Sequence, residues 1–180
     1  MNRHEIRFAG FGGQGIVLTG VVLGTAAAMF GGKHASQTQS YGPEARGGAC
    51  QSEVVISDEP VDYPVALSLE TLVAMSQEAL DKYIGDLVPG GLLVVDKDLV
   101  TRLPEDGEYE LKRVPATSVA EKELGRRIVA NMVMLGAVVQ LSGIIKPEEL
   151  EDAVKRMVPP GTEDLNIRAV RRGYELAQEA

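Results

Sequence analysis

Cysteine is nearly absent from this chain, with Cys50 alone among 180 residues. One thiol cannot close an internal disulfide, and without Cys-x-x-Cys or clustered His and Cys there is no ligand set for an iron–sulfur cluster or structural zinc. Histidine is almost as scarce: His4 and His34 complete the inventory, and nothing in the sequence places either beside Cys50 as the base a nucleophilic thiol needs. Basic runs and basic–aromatic interleaving are missing, and the formal charge is -8. This argues against a surface that neutralises nucleic-acid phosphate, and against anionic membranes on the same ground. Low-complexity stretches and internal repeats are absent. Residues 1–5 carry neither the apolar core nor the small-residue cleavage site of a secretory signal, so the expected location is cytoplasmic. Paired acids such as Glu105-Asp106 and Glu148-Glu149 fall at turns or helix starts, where backbone chemistry explains them. No residue is singled out as catalytic or as a metal ligand.

Aromatic residues make up only 4% against 44% apolar overall, which suits one α/β domain over residues 1–180 with a core of Val, Leu, Ile and Ala. Hydrophobic periodicity predicts strands at 5–11, 33–38, 51–57, 71–75, 91–96 and 108–114. It predicts helices at 14–30, 76–86, 117–125, 127–142, 147–157 and 163–178. Strands dispersed among helices imply a mostly parallel, doubly wound sheet with flanking helices. The 127–142 helix is apolar almost all round yet too short to span a bilayer, so partial cover by another chain is expected.

The first strand runs into Gly10-Phe11-Gly12-Gly13-Gln14-Gly15-Ile16 and then a long apolar helix. This is the G-x-G-x-x-G arrangement of a Rossmann-like phosphate-binding turn. Gly10 would permit the tight turn, Gly12 close approach to a pyrophosphate and Gly15 tight helix–strand packing, with the anion at the helix N-terminus. Gln14 would reach a ligand or cap neighbouring backbone. The acid that holds the NAD ribose about 20 residues later is missing, since the sequence there reads His34-Ala35-Ser36-Gln37-Thr38-Gln39. Residues 40–49, rich in Gly and Pro, read as a long crossing loop that either faces the glycine turn or is a solvated connector. Within it, the Arg46 guanidinium suits bidentate contact with phosphate or carboxylate, or an inter-subunit or loop-anchoring ion pair. Asn131 reads as a ligand contact or as a satisfied polar group under the sheet, the second being the favoured expectation. Thiamine diphosphate enzymes carry Gly-Asp-Gly with a later Asn, and Gly85-Asp86-Leu87 does not match.

The glycine turn, followed by Gln39-Ser40-Tyr41-Gly42-Pro43-Glu44-Ala45-Arg46-Gly47-Gly48, resembles the gamma subunit of 2-oxoacid:ferredoxin oxidoreductases. Similarity continues through Ile56 to Pro60, Ser76 to Leu80, Asn131 to Gly136 and Asn166 to Tyr174. The resemblance implies a subunit of a complex that oxidatively decarboxylates a 2-oxoacid with coenzyme A, giving acyl-CoA, carbon dioxide and reduced ferredoxin. It implies thiamine diphosphate, magnesium and iron–sulfur clusters on alpha, beta and ferredoxin-like delta partners, with ferredoxin as acceptor and the isolated chain inactive. The 40–48 stretch is nearer the 2-oxoglutarate or branched-chain members. A phosphate-bearing part of coenzyme A is then the expected ligand of Gly10, Gly12, Gly13, Gln14, Gly15, Tyr41, Arg46 and Gly47. Two other readings stand beside it. One is a free-standing NAD-type redox-sensing or dehydrogenase module; the other makes the glycines purely architectural.

Overall fold

The computed structural model describes residues 3–41, 49–104 and 107–179, with Tyr41 by its backbone only. All described strands join one sheet: β1 (Arg3–Phe11), β2 (His34–Tyr41), β3 (Ala49–Ser57), β4 (Leu69–Ala74), β5 (Leu87–Asp96) and β6 (Tyr109–Val114), in the order β2-β3-β1-β4-β5-β6. The helices are α1 (Ile16–Thr25), α2 (Gln77–Tyr83), α3 (Ala116–Lys122), α4 (Ala130–Ser142), α5 (Pro147–Met157) and α6 (Glu163–Glu179). A π-helical turn over Ala26–Phe30 extends α1 to the boundary expected from the sequence.

The sheet is mostly parallel because β1, β4, β5 and β6 run together. Only β3 is reversed, antiparallel to both β1 and β2. That reversal corrects one expectation. The segment after β2 is not a crossing loop between parallel strands but the connection of an antiparallel pair, in which Tyr41 faces Cys50 and Phe11 faces Ala49.

Alternation along the strands sorts side chains to two faces. Ile6, Phe8, Val54, Ile56, Val73 and Val94 join the core under α1 and α3 to α6. Ala9, Leu72, Ala74, Leu93 and Val95 pack on the other side with Ala79, Leu80 and Tyr83 of α2 and with Val100. Helix α1 lies close on β3 because Gly20 has no side chain; a Cβ there would collide with Ser52 Oγ.

A second correction concerns α4. Residues 130–139 are all buried, and the cover comes from this chain rather than from a partner. Helix α6 lies against α4 in backbone contact, since a Cβ at Gly136 would strike the Val170 carbonyl and one at Gly173 the Val133 carbonyl. On the outer side of α6, Arg171 pairs with Glu151 at 2.7 Å and Arg172 with Glu123 at 2.8 Å.

Candidate functional site

The carboxyl end of β1 leads directly into the glycine turn, and each turn residue has a distinct physical role. Gly13 and Gly15 have φ of 95° and 74°, left-handed values that a side chain opposes. Gly15 also abuts Asn131, into which a Cβ would run. Gly10 has ordinary backbone, but a Cβ there would collide with Gln14 Oε1, so it serves packing.

Gly12 differs from the others. It is exposed, its φ is not positive, and a Cβ would meet no described atom within 4 Å. Nothing described within the chain requires glycine there.

Gln14 is occupied in holding the turn. Its Oε1 accepts from Phe11 N at 2.9 Å, and its Nε2 donates to Met75 O at 2.8 Å, tying the turn to the end of β4. Asn131 does the same from α4, donating from Nδ2 to Gly15 O at 3.2 Å while its Oδ1 accepts from Met132 N at 2.9 Å. It is the satisfied polar group the sequence suggests, placed beside the turn. The start of α1 has no side-chain cap and no acid in its first turn, so its N-terminal N–H groups and positive dipole end meet no competing carboxylate there.

Two hollows flank this turn and share Ile128. One, of about 420 Å³, is lined by Phe11, Gly13, Gln14, Met75, Thr117 and Arg127. The other, of about 370 Å³, lies between Gly15, Leu18, Asn131 and the segment before α6, with Arg126 at its edge.

Arg126 and Arg127 are exposed and were not singled out from sequence. They occupy the break between α3 and α4, where Gly125 at φ 72° turns the chain and Arg126 adopts an extended conformation. Arg127 pairs with Glu121 at 3.3 Å, whereas Arg126 makes no ion pair with a described residue. The available signal was a glycine followed by paired arginines between two apolar helices. Of the remaining candidates, Arg46, Gly47 and the Tyr41 side chain lie outside the described residues. The strand ends Tyr41 and Ala49 nevertheless sit at the same end of the sheet as Phe11.

Two other reactive groups near this end, Cys50 and Asp96, are buried. Cys50 is buried opposite Gly10, and burial pushes its thiol up, away from the thiolate. Burial also raises the carboxyl of Asp96, opposed by the Thr117 hydroxyl at 2.5 Å and by the Asp98 and Thr117 N–H groups. This carboxyl holds the start of α3. Among the described residues no three His, Cys, Asp or Glu side chains group as a metal site, and no helix is long and apolar enough to cross a membrane.

The NAD geometry fails at a specific place. An NAD fold sets a parallel strand beside β1 whose carboxyl end carries the ribose-binding acid. Here the neighbour on that side is reversed, so Ala49 and Cys50 stand next to Phe11 and Gly10, and neither is an acid.

The profile of the pyruvate ferredoxin/flavodoxin oxidoreductase family matches residues 5–176. The 2-oxoglutarate synthase subunit KorC of Methanocaldococcus jannaschii is 52% identical over 179 residues, covering 98% of this chain and 95% of that one. The crystal structure of the keto/oxoacid ferredoxin oxidoreductase gamma subunit from Geobacter sulfurreducens superposes with a TM-score of 0.92 at 48% identity, covering 100% and 99% of the two chains. The fold also recurs, at 24% identity and a TM-score of 0.88, as 32% of a longer chain of Magnetococcus marinus 2-oxoglutarate:ferredoxin oxidoreductase, solved with 2-oxoglutarate, coenzyme A and succinyl-CoA bound. Motif, turn geometry and full-length likeness converge: the chain belongs to the pyruvate ferredoxin/flavodoxin oxidoreductase family, as a gamma-type subunit of a multi-subunit 2-oxoacid:ferredoxin oxidoreductase.

Proposed function

We propose that residues 1–180 form a single gamma-subunit domain of a 2-oxoglutarate:ferredoxin oxidoreductase and that its glycine turn receives a phosphate-bearing part of coenzyme A. The whole complex converts a 2-oxoacid, coenzyme A and two oxidised ferredoxins into acyl-CoA, carbon dioxide, two reduced ferredoxins and a proton. Thiamine diphosphate, magnesium and the clusters would sit on alpha, beta and delta partners, as the likeness to gamma subunits of ferredoxin oxidoreductases implies. The likeness to KorC subunits supports 2-oxoglutarate as the oxoacid.

One observation carries the site assignment: Gly12 has no conformational or packing reason among the described residues to lack a side chain. Backbone at Gly12 and Gly13, the uncapped start of α1 and the Arg126 and Arg127 guanidinium groups together offer positive potential to an anion. Arg46 would add to it from the 42–48 segment. This chain would bind and orient the thiol-bearing co-substrate, while bond making and electron transfer occur on the partners.

The test is affinity purification of the tagged chain from its native cells, followed by assay of viologen reduction with each 2-oxoacid in turn. Co-purified partners and coenzyme A-dependent reduction fastest with 2-oxoglutarate are expected. A chain recovered alone, or a complex fastest with pyruvate, would overturn the subunit or the substrate reading respectively.

A further inference from the structure

Strands β3 and β4 lie on opposite sides of β1, so the chain between them must cross β1. Residues 58–68 make this crossing as a strap over the sheet face away from α1. The sheet beneath is charged rather than apolar: Glu5, Arg7 and Glu53 are 3%, 8% and 5% exposed. Glu5 Oε2 accepts from Leu67 N at 2.5 Å and Ser68 N at 2.6 Å, and Glu53 Oε2 from Ala66 N at 3.4 Å. The Arg3 guanidinium donates to Tyr63 O at 3.2 Å and Val65 O at 3.3 Å. Arg7 neutralises Glu53 at 2.6 Å, pairs with Asp86 and lies over the Tyr83 ring.

A segment that covers a sheet ordinarily turns its apolar side chains inward. Here main-chain groups of the strap are held by the buried Glu5 and Glu53 carboxylates and the half-buried Arg3 guanidinium, and the alternate residues Tyr63, Val65 and Leu67 remain 53%, 40% and 71% exposed. The strap is therefore fixed in place before any partner arrives, which lowers the ordering cost of association. Its apolar row is preceded along the chain by the exposed acids Glu59 and Asp62.

We infer that this strap is a docking face for another subunit of the same oxidoreductase, one that presents an apolar groove rimmed by Lys or Arg. The acidic flank fits a basic rim and disfavours a second copy of this chain, since self-pairing would bring the like-charged flanks together in a chain of formal charge -8. The inference rests on the subunit reading above. It places the contact on the opposite face of β1 from α1, so the hollows beside the glycine turn remain available to a ligand.

The test is co-purification of the complex with tagged wild-type chain, Leu67→Asp, and the double charge reversal Glu59→Lys with Asp62→Lys. Met29→Asp, at another exposed apolar position, serves as control. Because the strap positions are on the surface, circular dichroism and melting of each isolated variant should match the wild type. A fall of about tenfold or more in recovered partners, the scale expected on removing an interface anchor, should accompany Leu67→Asp and the charge reversal but not Met29→Asp. Undiminished recovery with the strap variants, or light scattering showing a wild-type dimer that Leu67→Asp dissociates, would overturn the inference. Failure of the wild type itself to recover partners would instead contradict the subunit reading.

Discussion

Four glycines in one turn do different things, and only the three-dimensional neighbourhood of each tells them apart. Gly13 and Gly15 are held by left-handed φ, Gly10 by the Gln14 side chain pressed against it, and Gly12 by nothing described within the chain. Gly15→Ala combines a φ of 74° with a collision against Asn131. It should destabilise by about 2 kcal/mol or more, measured by denaturant unfolding, whereas Gly12→Ala should leave stability within about 0.5 kcal/mol. Equal losses at both positions would refute the division of roles. The turn itself was legible in the sequence because its spacing is local. Arg126 and Arg127 were not, because their place beside Gly13 and Gly15 depends on how α4 packs more than 100 residues later.

At the scale of elements, periodicity identified the strands and helices well, since each buries one face or stripe that alternation or helical spacing reports. The direction of β3 was hidden for a physical reason. A reversed strand buries the same alternate residues as a parallel one, and the 42–48 connection is too long to carry a tight-turn signature. The cover of α4 was hidden as well, because it comes from close approach at Gly136 and Gly173, which lie on separate helices and only acquire meaning together. Gly173→Ala forces a methyl group into the Val133 carbonyl. It should cost about 2–3 kcal/mol, seen as a fall in Tm of roughly 5–10 °C for a chain this size. An unchanged Tm would show that α6 can lift from α4 without penalty.

For the whole molecule, the sheet separates two kinds of surface. The carboxyl ends of the parallel strands gather the glycine turn, the α3–α4 break and the strand ends flanking residues 42–48, which is where open α/β sheets bind ligands. The reversed β3 removes the acid-bearing neighbour that an NAD site needs, leaving the glycine turn without the ribose contact. On the face away from α1, buried charges of β1 and β3 hold a strap whose apolar side chains stay outside. Glu5 and Arg7 alternate with Ile6 and Phe8 as in a half-solvated strand, and nothing local signals that a crossing segment will enclose them. The proposed co-substrate site and the proposed docking strap therefore lie on separate surfaces of the sheet.

The most direct test is the KM for coenzyme A of the assembled complex carrying Gly12→Val. A side chain at this open position should obstruct phosphate approach and raise KM by about tenfold or more, equivalent to about 1.4 kcal/mol, with assembly, Tm and the KM for the 2-oxoacid unchanged. A coenzyme A KM equal to that of the wild type in an intact complex would contradict the account and leave the glycine turn an architectural feature.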